Sequence, residues 1–192
     1  MDRRRADGAE HRLVAVDRRR DTGGVQHVAL DDELTGIRNR RGLGVAAELI
    51  LAVADRERIP VQVLFIDVDD LKGINDRHGH DMGDRALQDV AVALGETLRS
   101  ADIAARIGGD EFVVLLRDAT IEDATRVAHR FTDALATRRT LGSEAVTASV
   151  GIATRPPGNT DLASLLATAD RDMYQVKASS HAHDTHPAGS RS

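Results

Sequence analysis

The sequence predicts an α+β fold whose core follows the order β-α-β-β-α-β, the ferredoxin-like pattern, with a further helix at each end. Three observations predict it: four short apolar segments, two long segments of helical periodicity between them, and a glycine-rich hairpin that joins the two middle strands. The 192 residues suffice for one domain with a single substantial core, plus flanking segments.

Each element follows from a local pattern. In the first helix, apolar residues such as Leu43, Ala47 and Ile50 recur on a helical period, and Pro60 blocks its continuation. The first strand is apolar almost throughout, which indicates burial on both faces. The predicted helices are 40–57, 84–99, 121–138 and 161–177, and the predicted strands are 61–67, 103–107, 111–116 and 146–154. A turn is predicted at 156–159.

Composition excludes several functional classes. Without cysteine the chain can form no disulfide and carry no thiol chemistry. A net charge of -5 and only 2% aromatic residues argue against a nucleic-acid partner, which needs basic surface and stacking platforms. No apolar run approaches the length of a membrane span, and the amino-terminal residues lack a signal-peptide pattern. We therefore expect a cytoplasmic protein without membrane contact.

The chain divides into three segments by composition. We expect a flexible or weakly helical arm over residues 1–30, a globular domain over 31–178 and a disordered tail over 179–192. The arm has an alternative interpretation as the remnant of a helix that connects to an input domain. Tail histidines suggest a metal site, but disorder is the preferred interpretation; they are His181, His183 and His186.

The hairpin turn carries the strongest functional signal. Gly108 and Gly109 allow the backbone to approach a bulky anion, and Asp110 and Glu111 follow at once. Carboxylates repel phosphate, and a divalent cation between them resolves that conflict. The turn therefore predicts a site for a metal-bound nucleotide, the alternative being a solvated acidic hairpin.

A second acidic segment ends the first strand, with Asp67 and Asp69 two residues apart. In the predicted topology the first and third strands are antiparallel neighbours. The end of the first strand then lies beside the start of the third, so Asp67 is expected close to Asp110 and Glu111.

Three segments together, 32–43, 61–84 and 106–116, resemble the GGDEF family of diguanylate cyclases in order and spacing. The resemblance runs from about Asp31 to Lys177. It implies condensation of two GTP molecules to cyclic di-GMP and pyrophosphate, in a weak homodimer of two facing domains. It also implies a sheet similar to those of nucleotide cyclases and polymerase palms, a fold-level analogy.

The resemblance also implies roles for single residues. Asp67, Asp110 and the Val68 carbonyl match metal ligands for Mg²⁺ or Mn²⁺. Glu111 matches a residue that assists metal binding or accepts the hydroxyl proton.

Further positions match the family's substrate site. Asn75 and Asp84 match the pair that reads guanine, with helix cap or turn roles as the alternative. Aspartate at position 84 favours GTP over other nucleotides. The remaining implied substrate residues are Leu71, Lys72, Gly108, Gly109 and Lys177. Leu71 stands where many members carry phenylalanine.

Arg99 and Asp102 form an R-x-x-D pair whose place before the glycines matches the family's inhibitory product site. Arg106 is expected to support that site. The residues after Lys177 depart from the family pattern, because a second basic residue and a closing Gly-x-Asn strand are missing. The alternative to an active cyclase is therefore a catalytically weak module that acts as a receptor for GTP or cyclic di-GMP. A cyclase that makes another cyclic nucleotide is a third possibility, against which Asp84 argues.

Overall fold

The computed structural model describes residues 29–138, 145–155 and 161–184, with side chains described as far as Ala178. The strands are β1 (Arg38–Asn39), β2 (Val61–Val68), β3 (Ile103–Arg106), β4 (Glu111–Arg117) and β5 (Ala148–Arg155). The helices are α1 (Arg40–Glu57), α2 (Leu71–His78), α3 (His80–Thr97), α4 (Ile121–Ala136) and α5 (Leu162–Asp184). These strands form one sheet in the order β1-β3-β4-β2-β5.

Helices cover both faces of the sheet, and the inner strand β2 contributes buried side chains to both faces. Its side chains alternate, so that Leu64 and Ile66 pack with α3 and α4 while Val63 and Phe65 pack with α1 and α5. This two-sided burial explains why β2 is apolar almost throughout rather than alternating with polar residues.

The predicted α+β core is confirmed. Strand β2 pairs antiparallel with both β4 and β5, and β3 pairs antiparallel with β4 across the glycine turn. The observed strand ends differ from the predicted ones by at most a few residues. The short strand β1, which the sequence did not predict, extends the sheet by pairing parallel with β3.

The segment after β2 differs from its prediction. It forms the helix α2, and α3 begins at His80 instead of Asp84. No helix was predicted over residues 71–78, but Ile74 is buried in the core there, and Gly79, with φ of 85°, separates the two helices. Asp84 consequently lies inside α3 and is not its N-cap.

The last helix is also longer than predicted. Helix α5 continues to Asp184, beyond the predicted helix end at Lys177. Residues 1–28, 139–144, 156–160 and 185–192 lie outside the described residues, as do the side chains of the three tail histidines. Among the described helices, none is long and apolar enough to cross a membrane.

Candidate active site

The acidic residues of the two central strands lie at one end of the sheet. Asp67, in β2, stands directly opposite Glu111, the first residue of β4. The backbone N–H of Val68 donates to the carbonyl of Asp110 at 3.0 Å. The antiparallel pairing therefore brings Asp67, Asp110 and Glu111 to the same edge, as the predicted topology required.

Asp69 adds a fourth carboxylate to this edge, to which the sequence analysis gave no role. Its Oδ1 accepts a hydrogen bond from the Ser149 hydroxyl at 2.8 Å, and its backbone N–H donates to the Thr147 carbonyl at 3.0 Å. Both partners precede or open β5, so Asp69 ties this end of β2 to the neighbouring strand. The spacing of Asp67 and Asp69 was visible in the sequence, but their partners were not.

Lys177 of α5 places an ammonium among these acids. Its Nζ donates to Asp67 and lies 3.9 Å from Oδ1 of Asp69. Burial lowers the pKa of Lys177, but the hydrogen bond with Asp67 and the charges of Asp67, Asp69 and Asp110 outweigh it. The pKa is therefore raised, and the side chain remains a cation at neutral pH.

The two glycines of the turn have different surroundings. A Cβ added at Gly108 would lie 2.3 Å from Oε2 of Glu111, so the Glu111 carboxylate occupies the space beside this glycine. A Cβ added at Gly109 would meet no described atom within 4 Å. A side chain at position 108 would thus displace the Glu111 carboxylate, whereas Gly109 faces space that a ligand can enter.

The donor atoms at this edge suit a hard divalent cation. Their attraction for positive charge is evident in the contact of Lys177 with Asp67. Among the described residues no three His, Cys, Asp or Glu side chains are grouped to hold one ion. Mg²⁺ commonly takes only one or two protein carboxylates and completes its coordination with phosphates and water. The residues therefore fit a cation that binds together with a nucleotide.

Four of the predicted substrate residues lie on the two helices after β2. The Asn75 carboxamide packs against the buried Gly83, where an added Cβ would lie 2.0 Å from its Oδ1. This contact brings Asn75 of α2 next to the residue that precedes the exposed Asp84 of α3. Lys72 is exposed, and Leu71 is half-buried against the core.

The R-x-x-D pair forms a tight turn after α3. The Arg99 N–H donates to Asp102 Oδ2 at 2.9 Å, and the Asp102 N–H donates to the Arg99 carbonyl at 3.0 Å. Two cavities, of about 570 and 90 Å³, border both residues. Arg126 and Arg130 of α4 line the smaller cavity. Sequence reasoning missed these two arginines because only the packing of α4 on α3 brings them near Arg99.

Arg106, predicted to support the product site, makes its contacts at the glycine turn. Its Nη2 and Nε donate to the Gly109 carbonyl at 2.8 and 3.2 Å. Its Nη1 lies 3.2 Å from Oδ1 of Asp32, in the segment before α1. From the other side, Nε of Arg40 donates to the Ile107 carbonyl at 2.9 Å. Two guanidinium groups therefore bind carbonyls on either side of Gly108.

Comparison with known proteins agrees with this arrangement. The family model described as diguanylate cyclase, GGDEF domain, matches residues 29–183. The response regulator PleD of Caulobacter vibrioides is 40% identical over 162 residues, which cover 79% of this chain and 35% of PleD. The chain spans less than half the length of PleD and of other curated relatives that it matches.

Two solved structures are similar in fold and sequence. The GGDEF domain of DgcB from Caulobacter crescentus, in complex with c-di-GMP, is 27% identical with a TM-score of 0.73, covering 84% of this chain and 95% of that one. A Pseudomonas aeruginosa structure that comprises only the GGDEF domain is 37% identical with a TM-score of 0.71, covering 78% and 89% of the two chains. With the acidic edge and the glycine turn in place, these matches show that the chain belongs to the GGDEF family of diguanylate cyclase domains.

Proposed function

We propose that the protein is a diguanylate cyclase, which condenses two GTP molecules into cyclic di-GMP and releases two pyrophosphates. The observation that carries this proposal is the convergence of Asp67, Asp110 and Glu111 at one edge of the sheet, beside the open face of Gly109. A module that only bound cyclic di-GMP at Arg99 and Asp102 would have no chemical need to keep these repelling carboxylates together.

In this proposal the acidic edge holds the triphosphate through a divalent cation. Asp67, Asp110, Glu111 and the Val68 carbonyl are the protein groups that would bind Mg²⁺ or Mn²⁺. When bound, the cation supplies charge neutralisation for the phosphates. Lys72 and Lys177 contribute further positive charge toward the phosphates.

The protein takes little direct part in the bond changes of the reaction. The 3′-hydroxyl of each GTP attacks the α-phosphorus of the other, an O–P bond forms, and the bond to pyrophosphate breaks. Glu111 lies at the site edge and is the candidate acceptor for the hydroxyl proton. The protein otherwise positions the reactants, which is a large part of the rate gain in such reactions.

Guanine selection is assigned to Asn75 and Asp84. A carboxylate accepts hydrogen bonds from guanine N1–H and N2–H, which adenine does not offer. The contact of Asn75 with Gly83 supports this assignment, because it places Asn75 beside the residue that precedes Asp84. The proposed substrate is therefore GTP alone.

Catalysis further requires two copies of the domain. One domain holds one GTP, so the two must face each other about a twofold axis. The sequence before residue 31 lacks sustained a/d heptads, which are the pattern of a strong coiled coil. We expect a weak homodimer, whose activity per molecule rises with concentration.

Product inhibition is proposed at Arg99 and Asp102. A guanidinium binds phosphate and guanine edges, and a carboxylate accepts from guanine N–H groups. The adjacent cavities and the nearby Arg126 and Arg130 support this site, because they add positive charge around Arg99. Arg106 was expected to support this site; its described hydrogen bonds are to the Gly109 carbonyl and to Asp32.

The direct test is incubation of the protein with GTP and Mg²⁺ over a dilution series, with nucleotides separated by chromatography. We expect cyclic di-GMP, formed with a specific activity that rises with protein concentration. Constant specific activity would refute the weak dimer. Intact GTP together with calorimetric binding of cyclic di-GMP would favour the receptor alternative, and Glu111→Gln with near-normal turnover would refute the proton-acceptor role.

A further inference from the structure

Arg106 links the segment before α1 to the glycine turn. Its guanidinium uses two nitrogens on the Gly109 carbonyl and a third on Asp32. Only 15% of the Arg106 side chain and 24% of the Asp32 side chain are exposed. The pair is thus a largely buried bridge between two parts of the chain that are distant in sequence.

Asp32 is itself held in a defined orientation. Its Oδ1 accepts from the Thr35 N–H at 2.9 Å and from the Thr35 hydroxyl at 2.6 Å. Its backbone N–H donates to the Ile37 carbonyl at 2.7 Å. A carboxylate with so many fixed partners is a firm anchor for a guanidinium.

We propose that Arg106 and Asp32 are positioning residues for the reaction, and this inference rests on the proposed function. A trans peptide is planar, and its N–H points opposite to its C=O. When Arg106 holds the Gly109 carbonyl, the plane of the peptide that joins Gly109 to Asp110 is fixed. The direction of the Asp110 N–H is then fixed. The backbone from which the Asp110 carboxylate extends is fixed with it.

Arg40 acts on the preceding part of the turn. Its Nε holds the Ile107 carbonyl, which fixes the peptide that joins Ile107 to Gly108. Because Gly108 and Gly109 lack side chains, the backbone here has few restraints of its own. The two guanidinium groups supply restraints that glycine cannot.

A matched control comes from another Arg–Asp pair. Arg155 binds Asp55 with two hydrogen bonds, at 2.8 and 3.0 Å, and its side chain is 3% exposed. It lies at the opposite end of β5 from the acidic edge, roughly 20 Å away at about 3.3 Å per strand residue. The two pairs share their chemistry, and the arginine of each is largely buried, but only one pair touches the turn.

The test compares Arg106→Lys, Asp32→Asn and Arg155→Lys in the full 192-residue chain. Lysine keeps the charge at position 106 but cannot contact Gly109 and Asp32 together. We expect Arg106→Lys to lower kcat by ~10- to 100-fold with KM for GTP changed less than about threefold, because misplacement by about 1 Å has effects of this size. Asp32→Asn should lower kcat less, and Arg155→Lys should lower the melting temperature but not kcat.

Two further measurements separate positioning from stability and from product binding. Amide hydrogen exchange should be faster in the peptide containing residues 107–110 of Arg106→Lys, and unchanged there in Arg155→Lys. Calorimetric affinity for cyclic di-GMP should be unchanged in Arg106→Lys. Unchanged exchange at the turn, or loss of product affinity with normal kcat, would overturn the inference. If the unsubstituted protein makes no cyclic di-GMP, the proposed function fails. The exchange comparison still decides whether Arg106 orders the turn at residues 107–110.

Discussion

The two ends of the sheet both carry acidic and basic side chains, but they pair them differently. At the end near Val61, Arg155 pairs with Asp55, and Arg117 pairs with Glu57 at 2.8 Å, so each of these two carboxylates is neutralised by at least one arginine. At the other end four carboxylates share few cations; they are Asp67, Asp69, Asp110 and Glu111. Lys177 contacts the first two, and Arg40 lies 3.9 Å from Glu111.

This difference indicates that one end contributes to the stability of the fold and that the other is suited to bind a cation. Balanced pairs stabilise the fold and need no further partner. An excess of carboxylates repels itself and gains most when a cation binds. The imbalance at the Asp67 end, more than any single side chain, supports its proposed role as the ligand-binding end.

The largest expected effect comes from the acidic end. Asp110→Asn should lower cyclic di-GMP formation by at least ~100-fold, because it removes a proposed cation ligand. The melting temperature should not fall, since the substitution also removes one repelling charge. Chromatographic assays and thermal unfolding of the same preparations check both statements. Glu57→Gln, at the other end, is the control and should keep full activity.

The two glycines of the turn give the next largest effect. In Gly108→Ala the new Cβ displaces the Glu111 carboxylate, so we expect a ~10- to 100-fold loss of turnover. Gly109→Ala leaves the packing of the turn intact but places a methyl group in the space proposed for the nucleotide, so we expect it to raise KM for GTP. An unchanged KM in Gly109→Ala would mean that the nucleotide does not approach this glycine.

A stability effect is expected at the balanced end. Asp55→Asn leaves Arg155 with a weakened partner in a buried position, which should lower the free energy of unfolding by about 1–3 kcal/mol. Asp55 is 44% exposed, so the effect should fall below that of a fully buried pair. Urea denaturation measures it, and turnover at a temperature where both proteins are folded should be unchanged. A large loss of turnover would contradict the separation of the two ends.

The smallest expected effect is a pH dependence at Asp32. Burial raises the pKa of this carboxyl, but the Thr35 hydrogen bonds and Arg106 lower it more, so it lies below its ordinary value of 3.8. A lowered pKa in the folded state stabilises the fold above pH 3.8, and that contribution disappears as the pH falls through the lowered value. Asp32→Asn should therefore be less stable by about 1 kcal/mol at pH 7.

The difference between Asp32→Asn and the unsubstituted protein should shrink below pH 3.8, as measured by urea denaturation at several pH values. Asp31→Asn is the control, because Asp31 pairs with Arg38 in a more exposed position. That variant should show a smaller difference at pH 7, reduced further by salt. A constant gap for Asp32→Asn down to pH 2 would contradict this account.

The sequence predicted most of the strands and helices because their patterns are local. The apolar run of β2, the periodicity of α1 and the hairpin glycines each depend on a few neighbouring residues. The segment of α2 was not predicted, because its glycines and polar residues favour a loop unless Ile74 is packed in a core.

The sequence by itself determined that Asp67, Asp110 and Glu111 meet, since strand topology and a residue's place along a strand are enough to bring them together. Only the tertiary structure decided which cations accompany them. The contacts of Lys177 with Asp67, of Arg106 with Gly109 and Asp32, and of Arg126 and Arg130 with the Arg99 cavity join elements far apart in the chain. Long side chains choose partners by the packing of whole helices and strands, and no local pattern encodes that choice.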